Sequence, residues 1–305
     1  MEIEAVDPPG CHDHESPSID MVIRARGRDL GGFTVRRSLP SPRRRLVGPF
    51  VFFDHLGPVR FEAGRGMDVR PHPHIGLATV TYLFEGEIFH RDTLGSAQSI
   101  RPGDVNWMTA GRGIAHSERT APEYRSASHE YHGIQAWVAL PRAHEETAPS
   151  FVHHPKATLP LIELAGVELR LIAGVAYGAR SPVETFWPTL YADAKLDAGA
   201  TLELPDGIEE RAVYVATGRI TSAGDVFEPG DMVVFCKDAS VSVKAVEPTR
   251  LLVLGGAAMD GERFIDWNFV SSSEARIERA RDDWRAQRFG KVPGDDKEFI
   301  PLPER

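Results

Sequence analysis

The chain has two cysteines in 305 residues, Cys11 and Cys236. So few thiols, so far apart in sequence, exclude a disulfide scaffold and lead us to expect free thiols in a reducing compartment. Long hydrophobic runs are also missing. None approaches the roughly 18 residues of a membrane span, and the opening MEIEAVDPPG is acidic where a secretion signal would be basic and then apolar. A cytoplasmic protein with no membrane association is the expectation. A nucleophile motif, a P-loop and a dinucleotide fingerprint are absent as well, so catalysis, if any, must rest on other groups.

Positive charge is in deficit, the net charge being -9, and it is unevenly spread. Residues 1–20 hold Glu2, Glu4, Asp7, Asp13, Glu15 and Asp20 with no Lys or Arg. With little apolar content and no strand pattern before Met21, they are expected to form a disordered acidic tail that the fold can lose. Within it CHDHE, Cys11 to Glu15, looks like a soft-metal site but is expected to take up metal only adventitiously. The basic stretch that follows contains Arg24, Arg26, Arg28, Arg36, Arg37, Arg43, Arg44 and Arg45, opposed only by Asp29. These arginines alternate with apolar positions, as on the outward face of strands, so a solvated or ion-paired face is expected and direct nucleic-acid binding is not.

What the chain has in quantity is short apolar runs rich in Val, Phe, Tyr and Thr. From Met21 to Leu254 they are interrupted by Gly, Pro or Asp about every ten residues, which reads as antiparallel all-β, with sandwich, barrel and jelly roll all open. An internal repeat narrows this. ATVTYLFEGEI (Ala78–Ile88) resembles RAVYVATGRI (Arg211–Ile220), and SIRPGDVNWMTAG (Ser99–Gly111) resembles VFEPGDMVVFCKDA (Val226–Ala239). Two copies of one β module are therefore expected, at residues 21–155 and 156–270. The end differs: SSSEARIERARDDWRAQRFG carries a capping-box pattern at Ser271 and Glu274 and a stripe of Ile277, Ala280 and Trp284. Residues 271–305 are expected to be one amphipathic helix packed on a β module, followed by an extended strap.

Twelve histidines are present, and two of them stand one residue apart between prolines in RPHPHIGLATVTYLFEGE. Side chains alternate along a strand, so His72 and His74 share a face, as do His116 and Glu118 in GRGIAHSERT. Glycine turns between the two forks allow the strands to return beside one another. Three imidazoles and one carboxylate converging there suit a divalent transition metal: iron, nickel, manganese, copper or zinc. His90 and Asp92 also share a face, either behind those groups, against a substrate, or on a hairpin surface. Phe52, Phe53, Trp107 and Met108 would be core, or the wall of an apolar pocket.

The residues also carry a resemblance. GMDVRPHPHIGLATVTYLFEG follows the first cupin motif with Gly66, His72, His74 and Gly86 in place and Thr79 where the usual Glu stands. GDVNWMTAGRGIAHSE follows the second with Gly103 and Gly111 in place, Thr109 for Pro and the histidine two residues late. A carboxylate moved from position 79 to Glu118 resembles the pirin family, as do GPFVFFDHLGP, HRDTLGS, MTAGRGIAHSE and FVSSSEARIERARDDWRAQRF. The resemblance implies an all-β bicupin, two jelly-roll β-barrels facing each other. It also implies one metal, iron foremost, held in the N-terminal barrel by His72, His74, His116 and Glu118. Counting from the shared anchors, Leu204, Asp206, Val243 and Ala245 occupy the fork positions of the second copy, so a metal-free C-terminal barrel is expected. By resemblance the chain is a metal-dependent dioxygenase of the quercetin 2,3-dioxygenase kind, using O2 on an aromatic or enediol substrate with Glu118 as ligand and base. The alternative is a non-enzymatic, redox-responsive regulator that binds a transcription factor or a metabolic enzyme.

Overall fold

The computed structural model describes residues 16–29 and 34–304; the acidic segment up to Glu15, with its CHDHE, lies outside them. The tail expected to run to residue 20 ends earlier. A strand opens at Ile19, which is 1% exposed, and Asp20 is buried in an ion pair with Arg44. The described residues are mostly strand and form two compact units, each with one seven-stranded and one four-stranded antiparallel sheet, the two-layer plan of a cupin barrel.

In the unit built on residues 159–258, the larger sheet runs Ile19–Arg24, Asp231–Phe235, Glu210–Thr217, Thr249–Gly256, Thr189–Leu196, Val167–Ala173 and Leu161–Leu164. Its first strand comes from the far N-terminus, with Ile19 set against Phe235 and Arg24 against Asp231. The smaller sheet orders Thr201–Glu203, Ser242–Ala245, Ile220–Ser222 and Asp225–Phe227. Between the sheets lies an aliphatic core that includes Leu204, Val213, Val241, Val243 and Val253. Each such side chain stabilises the fold by about 1.5–3 kcal/mol on burial.

The other seven-stranded sheet, most of whose strands lie in the unit built on residues 53–158 and 259–304, runs Ser150–His154, Val105–Thr109, Leu77–Glu85 and His129–Ala139, then Phe50–Phe61, Thr34–Leu39 and Arg26–Asp29. The smaller sheet orders Asp68–His74, Ile114–Arg119, Ile88–Asp92 and Ala97–Ile100. Asp68–His74 is an edge strand, which is why it tolerates Pro71 and Pro73: the missing N–H groups face outward, where no ladder partner waits.

The boundary expected after residue 270 shifts to 258/259. The hairpin of Phe264–Asp266 and Phe269–Ser271 belongs with the first repeat, because Val270 N–H donates to the Ile75 carbonyl and Phe269 joins a core with Ile75 and Ala115. The helix that follows is Glu274–Arg285, and its buried Ile277, Ala280 and Trp284 complete that core as expected. Its start differs from the expected capping box. Ser273 is the N-cap, while Ser271 and Ser272 are held by the buried Glu145 carboxylate, which also pairs with Arg263.

No described helix is long and apolar enough to cross a membrane.

Candidate metal centre

The Asp68–His74 and Ile114–Arg119 strands are antiparallel neighbours, with His116 opposite His72 and Ile114 opposite His74. A bulge on the first strand, near Pro71, shifts the register so that Glu118 faces Val69. This pairing brings the forks together. The imidazoles of His72, His74 and His116 each offer a nitrogen, and these atoms all lie within 4.8 Å of one another. Ring centroids are 4.4–5.0 Å apart.

The protons of this cluster are set by its surroundings. His72 Nδ1 donates to the Arg70 carbonyl at 2.8 Å and His74 Nδ1 to the Asn268 carbonyl at 3.2 Å. In both rings Nε2 is thereby left as the unprotonated ligand atom. His116 Nε2 is buried with no hydrogen-bond partner. A buried polar atom without a partner costs about 1–3 kcal/mol, and a cation bound there would remove that cost. Burial pushes the His72 pKa down to about 4 and those of His74 and His116 well below the ordinary imidazole value, with mutual repulsion adding to it. All three are therefore neutral near pH 7, the state a metal requires. The donor set is three neutral imidazoles with a carboxylate nearby and no thiolate, which suits a divalent first-row metal.

Glu118 is buried but is not a member of the three-histidine cluster. Its Oε1 lies 3.1 Å from the Thr81 hydroxyl, which is also 2.9 Å from Gln135 Oε1. Burial raises the Glu118 pKa, outweighing the hydrogen bond from Thr81. Thr81 sits between Asn106 and Gln135 on paired strands, so a polar row crosses the larger sheet at the level of Glu118.

Several of these groups were not picked out in the sequence. Thr81, Gln135, Asn268, Trp137, whose ring is 5.1 Å from that of His74, and Phe151, which stacks on His90, had no motif to mark them. Alternation along Leu77–Glu85 from Thr79, where the cupin Glu would stand, to Thr81 was the one available signal. Of the pocket candidates, Met108 lies opposite Thr79, whereas Trp107 pairs with Val80 on the alternate face. Phe53 is fully buried and Phe52 lies beneath the Arg37 guanidinium. His90 and Asp92 are 3% and 0% exposed, which rules out the hairpin surface.

In the second copy of the repeat the pairing register corrects one pair of equivalences. Leu202 faces Val243, and Leu204 N–H donates to the Val241 carbonyl. The forks expected at Leu204/Asp206 and Val243/Ala245 are thus two residues out of register with each other. Leu204, Val241 and Val243 are buried in the aliphatic core and Asp206 is exposed, so the fork positions there carry no inward donor.

The family models for pirin and for the pirin C-terminal cupin domain match residues 32–138 and 191–290. A pirin-like protein of Caulobacter vibrioides is 51% identical over 289 residues, 94% of this chain and 100% of the relative. The chain belongs to the pirin family. Among solved structures, a quercetin 2,3-dioxygenase from Acinetobacter baumannii superposes with a TM-score of 0.87 at 34% identity, over 93% of this chain and 95% of the other. A bacterial pirin from Escherichia coli, solved in complex with nickel(II), shares the fold at 18% identity with a TM-score of 0.62, over 78% of this chain and 99% of that one. Like those pirins, the chain is a bicupin.

Proposed function

We propose that this pirin is a metal-dependent dioxygenase that cleaves a flavonol-like enediol with O2, and that His72, His74, His116 and Glu118 hold the metal, iron foremost. The observation that carries the reading is the buried, partnerless His116 Nε2 beside two imidazoles whose Nδ1 protons are already committed to backbone carbonyls. The likeness to a protein titled quercetin 2,3-dioxygenase supports the substrate class. A bound divalent metal supplies Lewis acidity toward the substrate's oxygen and a centre for dioxygen.

The side chains around it do the rest. Glu118, its carboxyl raised by burial, is matched to taking the proton of an acidic enol hydroxyl. Thr81, with Gln135 behind it, holds that carboxyl in place from the larger sheet. Trp137, beside His74, and Phe151, stacked at 4.3 Å on His90, give the interior aromatic walls that suit a planar ring. A carboxylate held tightly by a cation is a poor base, so Glu118 must loosen to serve.

The test is oxygen consumption and carbon monoxide release over a panel of flavonols and other enediols, for protein purified without oxygen and of known metal content. Wild type should turn over above free metal, and Glu118→Gln should retain metal yet lose about 10²-fold or more in rate per bound metal, the scale of a lost general base. Equal rates per metal would remove Glu118 from the chemistry. No turnover in either protein with iron in place would favour the regulator, whose partner binding would then follow metal occupancy.

A further inference from the structure

We propose that Asp92 and His90 are positioning residues for His116, forming a buried Asp92–His90–His116 chain that fixes the tautomer of His116 and strengthens it as a ligand. The inference rests on the reading of His116 as a metal ligand. The three residues come from neighbouring strands, with His116 opposite Asp92 and Glu118 opposite His90. All three are buried. His90 Nε2 is 3.0 Å from Asp92 Oδ2, and His90 Nδ1 is 3.4 Å from His116 Nδ1.

For a neutral His90, proton bookkeeping along this line has one solution. A carboxylate only accepts, so the proton of neutral His90 stands on Nε2 and its Nδ1 is an acceptor. His116 must then present Nδ1–H to that acceptor, which leaves its Nε2, the partnerless atom, as the bare ligand nitrogen. Its two companions achieve the same state with backbone carbonyls. His116 alone obtains it from a side chain that ends in a carboxylate.

The chain is also held rigid. Asp92 Oδ1 accepts the N–H groups of Leu94 and Ser96 at 2.9 and 3.0 Å, and the Phe151 ring lies 11° from the plane of the His90 imidazole. The distance between the two Nδ1 atoms is long for a hydrogen bond. The arrangement orients His116 rather than clamping it.

The test titrates metal-free protein with Co(II), reading affinity by competition with a chelator and the ligand set by the visible cobalt spectrum. Asp92→Asn keeps the shape and the turn but can turn an amide N–H toward His90, moving the His90 proton to Nδ1 and setting donor against donor. It should weaken Co(II) binding by about 10- to 100-fold, the usual loss when a partner behind a metal ligand is removed, and change the cobalt spectrum. His90→Asn places a carbonyl where Nδ1 stood and should bind within about threefold of wild type, whereas His90→Leu should show the full loss. Wild-type affinity in Asp92→Asn, or equal affinity in His90→Asn and His90→Leu, would overturn the proposal. If Asp92→Asn does not fold, the His90 pair decides alone. His116→Ala separates the two readings. If it leaves Co(II) affinity unchanged, the metal site itself is wrong; if it abolishes binding while the His90 and Asp92 variants do not differ from wild type, only the chain behind it fails.

Discussion

Replacing His72 by Gln should flatten the acid limb of the metal-free protein's stability curve. Burial lowers the pKa of His72 from 6.5 to about 4, against a smaller opposing pull from the Arg70 carbonyl. Between those values the unfolded chain takes up a proton that the folded chain refuses. Stability attributable to this one group is thus intact above about pH 6.5 and is lost as the pH falls toward 4. The loss over the whole window is about 3 kcal/mol, and between pH 6 and pH 5 it is about 1.2 kcal/mol. Gln does not titrate, so the variant should lack that increment. His74 and His116, shifted in the same direction, remain in both proteins. The difference between the two curves is therefore the quantity to read. Urea unfolding of chelator-stripped protein at several pH values from 6.5 to 5 measures it directly. Parallel curves for wild type and His72→Gln would refute the claim that His72 is buried neutral in the metal-free fold.

Glu118 should show the opposite sign: its raised pKa means the folded state holds a proton longer than the unfolded one, so stability falls as the pH rises through the folded value. Metal-free Glu118→Gln should gain on wild type as the pH rises above the ordinary carboxyl value in the same unfolding assay, and no relative gain would contradict the burial of that carboxyl. Gly76 has φ +67 and a Cβ there would fall on the Val270 carbonyl oxygen, so Gly76→Ala should displace the 264–271 hairpin. It should weaken Co(II) binding by about 10-fold or more through the Asn268 carbonyl that holds His74. Deleting residues 291–305 removes the Ile300 N–H donated to Pro71, the Asp295 and Glu298 partners of Arg119, and the buried Val292. About 2–5 kcal/mol of unfolding free energy should be lost with that core and clamp, together with metal affinity, because Pro71 and Arg119 adjoin His72 and Glu118; unchanged affinity would mean the strap does not hold the forks.

The repeated β modules and the forks were legible because they follow local rules. Alternation along a strand places His72 with His74 and His116 with Glu118 without any tertiary information, and glycine turns count the strands. The pieces that escaped are held by distant partners. Nothing in SSSEARI says that Glu145 will occupy Ser271 and Ser272 and move the helix cap to Ser273. Strand Ile19–Arg24 reads as part of the first module by position, yet its sheet partner is Asp231–Phe235. The two expected forks of the C-terminal copy stand two residues out of register with each other, and only the pairing of Leu202 with Val243 reveals it. Asn268 could not be found either, since what it contributes to His74 is a backbone carbonyl. That carbonyl is set by a hairpin turn in which Trp267 takes a φ of 54°, a conformation no aromatic residue announces.

The claim at the centre of this account is that one metal, bound among His72, His74 and His116, carries dioxygen chemistry. Its most direct test is a titration of metal-free protein with ferrous iron under anaerobic conditions, each sample then being assayed for oxygen consumption on the flavonol that gives the highest rate. The account predicts that the rate rises linearly with bound iron, saturates at about one equivalent per chain as the donor set implies, and releases carbon monoxide in step, with no such rise in His116→Ala. A rate that is flat across the titration, or that rises equally in His116→Ala, would contradict it.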